Sequence, residues 1–332
     1  MNITSLVELI DGELKNPPSI SFVHQFHTDI NKLKNGDLFI SNEQSQINKA
    51  VSIGAFAIVY ESDFINICDK EIAWIKVKNI ENAIVKLTRY LLANLDIKVF
   101  YAKLSTIDII KLSSTEQNTY SIFDDNIYLN LFKAQNIYNK HTILCANKGI
   151  LKDVYPTFEI FNIQQYNLEN ITIHSIFETT FSHNGILYAR TKVPFYLVDT
   201  FLSVLSYLKI QDGHDIVGIR KWNLLNPIFI NKTYKPIEFG KSDRFIITTK
   251  TFEYAMEQLL HIQQNYTYGK VTILVSSKYA KSLKNSTIFE NIEDLEFYIK
   301  NLQYNLLYII GSSNQEIIDI LEKPLQQDSL FD

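Results

Sequence analysis

An unbroken apolar run at residues 55–60, Ala-Phe-Ala-Ile-Val-Tyr, constrains the fold of this chain more than any other feature. Such a run is typical of a strand that is buried on both faces, as the strands of parallel sheets are. It follows residues 45–53, whose pattern predicts a helix that ends at Gly54. A doubly buried strand directly after a helix indicates a βαβ unit, in which helices cover the faces of the sheet.

The same alternation of strand and helix patterns continues along the chain. Residues 73–77 predict another strand and residues 80–95 a helix with one apolar stripe. Asn184-Gly185 stands between two strand-like runs and predicts a hairpin. From residue 241 onward, three strand patterns alternate with three helix patterns, which predicts a small Rossmann-like series. The fold class is therefore α/β, with tandem α/β domains.

Composition narrows the class of protein. Apolar residues make up 46% of the chain, which excludes wholesale disorder. The net charge of −4 gives no basic surface for direct nucleic-acid binding. Cys68 and Cys145 form no Cys-x-x-Cys pair, the amino terminus lacks a basic n-region, and no apolar run approaches the roughly 20 residues of a membrane span. We expect a soluble cytoplasmic protein.

One short segment near the amino terminus has a recognisable pattern. Asp29 is followed at a fixed distance by Gly36-Asp37-Leu38-Phe39, and residues 50–60 form a second block. Together they resemble the opening of the Mur ligases, the ATP-dependent enzymes that add amino acids to peptidoglycan precursors. In that family the segment reads Asp-Ser-Arg, a spacer and Pro-Gly-Asp-Leu-Phe, and its domain binds a uridine-diphosphate sugar. The resemblance makes Asp29, Asn31 and Asp37 the candidate uridine-nucleotide region.

Later segments extend the resemblance over most of the chain. Residues 170–171, 184–185 and 193–195 are similar to the end of the family's central domain, most of all in the D-alanyl-D-alanine-adding branch. Residues 235–240 are similar to the family's approach to the carboxyl-terminal domain. The resemblance implies four segments: a Mur-ligase-like amino-terminal domain at 1–97, a shortened central domain derived from the ATPase at 98–240, a Rossmann-like carboxyl-terminal domain at 241–325, and a flexible tail at 326–332.

The family's catalytic motifs are missing from their expected places. The phosphate loop, Thr-Gly-x-Asn-Gly-Lys-Thr-Thr, is replaced at residues 101–108 by Tyr-Ala-Lys-Leu-Ser-Thr-Ile-Asp, which contains no glycine. Phosphate loops need glycine because the backbone must approach the anion closely. The Asp-Asp-x-Tyr-Asn-Ala-Asn-Pro segment is likewise replaced at residues 246–253.

These losses predict a pseudoenzyme without a cofactor. It would act in peptidoglycan precursor synthesis or cell-shape control by binding a Mur enzyme or a UDP-linked muropeptide. No metal site is predicted, because His24 and His27 lie three residues apart in an extended segment, where such side chains point to opposite faces.

Two alternatives remain open. An active ligase with a rebuilt nucleotide loop would bind ATP and Mg²⁺, and its candidate residues are Lys103, Ser105, Thr106, Lys241 and Ser242. The second alternative is an adaptor for the DNA sliding clamp. Its candidate residues are Gln327, Leu330 and Phe331, which resemble the Gln-x-x-Leu-Phe peptides that dock on the clamp through an exposed tail.

Overall fold

A computed structural model describes residues 1–113, 120–210, 222–283 and 286–322. The elements of the first hundred residues are α1 (Ile3–Leu9), β1 (Glu13–Leu14), β2 (Phe26–His27), β3 (Leu38–Ile40), α2 (Gln44–Ile53), β4 (Ala57–Tyr60), β5 (Ala73–Lys76) and α3 (Ile80–Leu92). The next elements are β6 (Lys98–Tyr101), α4 (Leu104–Ser113), β7 (Tyr120–Phe123), α5 (Ile127–Ala134), β8 (Thr142–Cys145), α6 (Lys148–Val154) and β9 (Glu159–Ile160).

The second half of the chain continues the alternation. Its elements are β10 (Glu169–Ser175), β11 (Glu178–His183), β12 (Ile186–Thr191), α7 (Val198–Leu208), β13 (Ile228–Ile230), β14 (Pro236–Ile237), β15 (Phe245–Thr249), α8 (Phe252–Asn265), β16 (Val271–Ser276), β17 (Thr287–Phe289), α9 (Asp294–Asn301), β18 (Leu306–Ile310) and α10 (Asn314–Glu322). The α/β fold class predicted from the sequence is confirmed.

The described residues form two compact units. The first is drawn from Met1–Lys103 and Thr115–Asn162, and the second from Leu104–Ser114 and Ile163–Asp332. Helix α4 thus belongs to the second unit. The domain boundaries placed after residues 97, 240 and 325 stay predictions.

Two sheets build the first unit within its described residues. One has the strand order β1-β5-β4-β3-β2, in which only β1 runs antiparallel to its neighbour. The other, β7-β8-β6-β9, is parallel throughout. Every residue of β4 is buried, as the apolar run predicted. Gly54 ends α2 in the left-handed conformation with φ +99°, which a side chain would disfavour.

The edge of the first sheet is closed by a side chain. Strand β2 ends that sheet, and the carboxamide of Gln135, just after α5, pairs with the backbone of Phe26. Gln135 Nε2 donates to the Phe26 carbonyl, and its Oε1 accepts from the Phe26 N–H, each at 2.8 Å. Helices α3 and α5 pack together beside this contact.

The second unit contains an antiparallel and a mixed sheet among its described residues. Strands β10-β11-β12 form a meander, and the predicted hairpin is present, with positive φ at both Asn184 and Gly185. Phe201 of α7 packs its ring edge-on against Phe181 and Tyr188 of this sheet. The larger sheet has the order β14-β13-β15-β18-β16-β17 and is parallel from β15 to β17.

In the part of the chain that the structure describes, every helix is too short or too polar to cross a membrane.

Candidate ligand pocket of the second unit

A cavity of about 250 Å³ lies where two neighbouring parallel strands end. Strands β15 and β18 run side by side, with Thr249 opposite Ile310, and each leads into a helix, α8 or α10. Ligands of open α/β sheets bind outside the carboxyl ends of such strands. Most of the lining residues carry a polar side chain, and they are Leu104, Thr248, Thr249, Lys250, Thr251, Tyr254, Ser312, Ser313 and Asn314.

The segment after β18 contributes a buried hydroxyl group to the pocket. Gly311 turns the chain with φ +100°, and its N–H donates to the Thr249 carbonyl at 2.7 Å. Ser312, the next residue, is only 1% exposed, and its Oγ has no hydrogen-bond partner among the described residues. A buried hydroxyl without a partner costs about 1–3 kcal/mol. The Ser312 hydroxyl is therefore free to bond a ligand or a water molecule in the pocket.

The start of α8 also faces the pocket without an internal cap. Thr251 holds the N-cap position, but its side chain caps none of the first helical N–H groups. Its buried Oγ1 lacks a partner within the described ranges. The amino end of a helix carries a partial positive charge, and the exposed Lys250 adds a full one beside it. This side of the pocket favours an anion.

The start of α10 is occupied by the protein itself. Ser313 N–H and Oγ both donate to Glu316 Oε2, at 2.7 and 2.8 Å, in a capping box. The Glu316 carboxylate therefore already sits at this helix end and repels a second anion. Of the two helix ends at the pocket, α8 is the one that can receive a negatively charged group.

A chain of hydrogen bonds holds the opposite wall in place. Thr248 Oγ1 donates to Asn314 Oδ1 at 2.6 Å, and Asn314 Nδ2 donates to the Asn226 carbonyl at 2.7 Å. These contacts fix the wall before any ligand binds.

Tyr254 connects the pocket wall to a carboxylate on another helix. Its hydroxyl donates to Asp108 Oδ2 on α4 at 3.3 Å. Burial raises the pKa of Asp108, and the nearby Lys111 partly opposes that rise. Burial also raises the pKa of Tyr254 well above its ordinary value. Deeper in the unit, Tyr308 donates to Gln258 Oε1 at 2.6 Å.

The candidate uridine-nucleotide residues lie in the first unit and divide into two kinds. Asp29 and Asn31 are exposed, and Asp29 Oδ1 accepts from the Asn31 N–H at 3.0 Å in a local turn. Asp37 is buried and accepts from the N–H groups of Gln25 and Lys34. The Asp37 carboxylate is thus occupied by hydrogen bonds that stabilise the fold, while Asp29 stays accessible.

The candidate nucleotide-loop residues are spread over separate places. Two residues separate the end of β6 from the start of α4, and a phosphate loop of the Gly-x-x-x-x-Gly-Lys type needs a longer connection. Lys103 is exposed, whereas Ser105 and Thr106 are buried in the first turn of α4.

Lys241 and Ser242 lie in the turn between β14 and β15, where Ser242 Oγ accepts from the Arg244 N–H at 3.0 Å. That turn is at the amino end of β15, opposite the pocket. Gln327, Leu330 and Phe331 lie outside the described residues.

Sequence reasoning missed the pocket residues Lys250, Thr251, Tyr254 and Ser312. A usable signal was present, because hydroxyl and glycine residues follow two buried strand patterns, as Thr248-Thr249 and as Gly311-Ser312-Ser313. The ends of parallel strands meet at one edge, so these residues could have been grouped.

Comparison with known proteins identifies the fold. No family profile and no curated protein matches this chain. Among solved structures, MurF from Acinetobacter baumannii aligns over 97% of this chain and 99% of its own, with a TM-score of 0.59 and 12% identity. This chain has the Mur ligase fold.

A MurF ligase from Thermotoga maritima, solved in complex with ADP, agrees with that fold at a TM-score of 0.52 and 12% identity, over 90% of this chain and 96% of its own. The predicted Mur-ligase-like fold is confirmed at this level. In the Mur ligase fold of this chain, the pocket lies in the carboxyl-terminal sheet, and its hydroxyl groups and uncapped helix end equip it to hold a carboxylate or another oxyanion.

Proposed function

We propose that this protein is a non-catalytic, ligand-binding member of the Mur ligase fold that acts in the cytoplasm in peptidoglycan precursor synthesis or cell-shape control. Its ligand is a UDP-linked muropeptide, whose peptide carboxylate sits against α8 and Ser312. A Mur enzyme is the alternative partner for the same role.

The contrast between two strand-to-helix junctions carries this proposal. The junction from β6 to α4 has two residues, and the hydroxyl-bearing residues after it are buried. The junctions after β15 and β18 line an open pocket to which they contribute several hydroxyl groups. Phosphate transfer depends on positioned donors around the phosphates, and a missing cradle removes most of that stabilisation. Ligand binding at the second place needs no such cradle.

Isothermal titration with a purified UDP-linked muropeptide tests the proposal. We expect binding by the wild-type chain, and Ser312→Ala should weaken it roughly two- to tenfold, the loss of about one hydrogen bond. Lys241→Ala is the matched control, because Lys241 is exposed at the opposite end of β15. A loss on Lys241→Ala with no loss on Ser312→Ala would place the ligand elsewhere and overturn the assignment.

An activity measurement tests the non-catalytic part. The protein is incubated with ATP, Mg²⁺, the muropeptide and an amino acid or dipeptide. We expect no release of phosphate above the background, and no thermal shift with ATP and Mg²⁺ at millimolar concentration. Phosphate release that depends on the muropeptide would establish the ligase alternative instead. If the muropeptide does not bind but a Mur ligase co-purifies with the chain, the partner is the enzyme.

A further inference from the structure

The hydroxyl of Tyr254 on the pocket wall is held by a carboxylate on another helix. Tyr254 lies in the first turn of α8, and its acceptor, Asp108, lies in the middle of α4, within the same unit. A tyrosine hydroxyl has a single proton, and here that proton is directed at Asp108. The hydroxyl therefore has no second proton that it could donate to an anion in the pocket.

Among Asp108, Tyr196 and Tyr254, Asp108 is the group whose charge changes most readily. Burial raises the pKa of Asp108, and the groups around it are Lys111 on the same helix, Tyr254 on α8 and Tyr196 before α7. Glu257 on α8 lies near the two tyrosines. Burial also raises the pKa of Tyr196 and Tyr254 above the ordinary value of tyrosine, so both stay neutral in the physiological range. Lys111 Nζ lies 3.6 Å from Asp108 Oδ1.

We propose that Asp108 determines how strongly the pocket binds an oxyanion: as a carboxylate it accepts the hydrogen bond of the Tyr254 hydroxyl and disfavours anions, and when protonated it leaves that hydroxyl free to donate a hydrogen bond to a bound oxyanion. The inference rests on the proposed function in one respect, namely that the pocket receives an oxyanion. Asp108 then sets how strongly the pocket binds an oxyanion and in which direction a change of pH alters that affinity.

The direction follows from proton linkage. Protonation of Asp108 removes a negative charge next to the pocket and supplies the carboxyl with a proton of its own. The Tyr254 hydroxyl can then rotate and donate to the ligand. Oxyanion affinity therefore increases as the pH falls through the titration of Asp108 and decreases as it rises.

Sulfate is a suitable probe because it keeps its charge between pH 4.5 and 7.5. Its affinity is measured by NMR on protein with ¹³C-labelled tyrosine rings and aspartate carboxyls, at constant ionic strength set with chloride. For the wild-type chain we expect sulfate to bind roughly two- to fivefold more tightly at pH 4.5 than at pH 7.5, the size expected for removal of one nearby, partly screened charge.

Two variants isolate the contribution of the pair. Asp108→Asn has nearly the same shape without the charge, so its sulfate affinity should match the low-pH wild-type value at every pH. Tyr254→Phe removes the hydroxyl that donates to the oxyanion, so this variant should bind sulfate more weakly than the wild type at pH 4.5. Superimposable spectra outside the pocket serve as the folding control. A pH dependence in Asp108→Asn equal to that of the wild type, or no sulfate binding at any pH, overturns the proposal.

A measurement without ligand separates this inference from the proposed function. In the free wild-type protein the Tyr254 ring resonances should titrate together with the Asp108 carboxyl, and Asp108→Asn should abolish that titration. If this coupling and the sulfate pattern are found while no muropeptide binds, the proposed function fails and the role of Asp108 stands. If the muropeptide binds but the ring does not titrate, the role of Asp108 is refuted and the proposed function stands.

Discussion

The junctions from β6 into α4 and from β15 into α8 each consist of two residues, and they differ in what their hydroxyl groups face. After β6, Thr106 lies in the first turn of α4, is 0% exposed and has an Oγ1 without a partner among the described residues. After β15, Thr251 precedes α8 and its Oγ1 is equally unpartnered, but it lines a cavity of about 250 Å³. A buried hydroxyl without a partner thus indicates a ligand site where a cavity adjoins it, and a cost to stability where the surroundings are packed.

The largest effect is expected where the turn after β18, next to the pocket, depends on glycine. A Cβ on Gly311 would stand 2.6 Å from Ser276 Cβ, whereas a Cβ on Gly240 would meet nothing within 4 Å. Both glycines have positive φ, so alanine at either position should destabilise the backbone conformation by a similar amount, about 1 kcal/mol. Gly311→Ala should lower the free energy of unfolding by about 1–3 kcal/mol more than Gly240→Ala, owing to the clash. Urea denaturation measures both losses, and equal values would contradict close packing between Gly311 and Ser276.

The two threonines can be exchanged for valine to test the comparison directly. Thr106→Val keeps the shape and removes an unpaired hydroxyl, so the unfolding free energy should stay equal or increase by up to about 1 kcal/mol, with muropeptide affinity unchanged. Thr251→Val should also leave stability nearly unchanged, but muropeptide affinity should fall roughly two- to tenfold. If both variants reduce affinity equally, the distinction between the two junctions is wrong.

A smaller effect separates the two serines after β18. Ser313→Ala removes the cap of α10 and should cost about 1 kcal/mol of unfolding free energy. Ser312→Ala removes only an unpartnered hydroxyl and should leave the unfolding free energy within about 0.5 kcal/mol of the wild type. Thermal unfolding of the ligand-free protein compares them. A larger loss for Ser312→Ala would mean that its hydroxyl has a structural partner.

The smallest effect concerns the dependence of stability on pH. Burial lowers the pKa of His261, whose Nε2 lies 3.0 Å from the Ile176 carbonyl. The unfolded chain therefore binds a proton more readily near pH 6, and the unfolding free energy should fall as the pH drops from 7.5 through about 6.5. Denaturation at several pH values should show a shallower slope for His261→Gln than for the wild type. Identical slopes would exclude His261 as a contributor.

Much of the fold could be predicted from the sequence because it depends on local patterns. The run at residues 55–60 and the glycine before it became β4 and the end of α2, and Asn184-Gly185 became a hairpin turn. Residues 113–150 mix polar and aromatic residues and predict no clear element, yet they contain α5 and β8. Strand β7 in the same segment is half-exposed and has no clean alternation.

The helix predicted to reach residue 95 ends instead at Leu92, where the chain enters a turn closed by the Leu95 N–H and the Leu92 carbonyl. The pocket was harder to foresee. Whether a serine or threonine hydroxyl finds a hydrogen-bond partner depends on residues that are distant in sequence. The contact between Asp108 and Tyr254 depends on distant residues in the same way, and no local sequence pattern predicts such contacts.

The carboxamide of Gln135 has a consequence for how this protein behaves in a crowded solution. Strand β2 ends its sheet, and an exposed sheet edge invites a strand from another molecule. By satisfying both backbone groups of Phe26, Gln135 occupies the position that an incoming strand would take. A single side chain thereby protects the first unit against self-association along that edge.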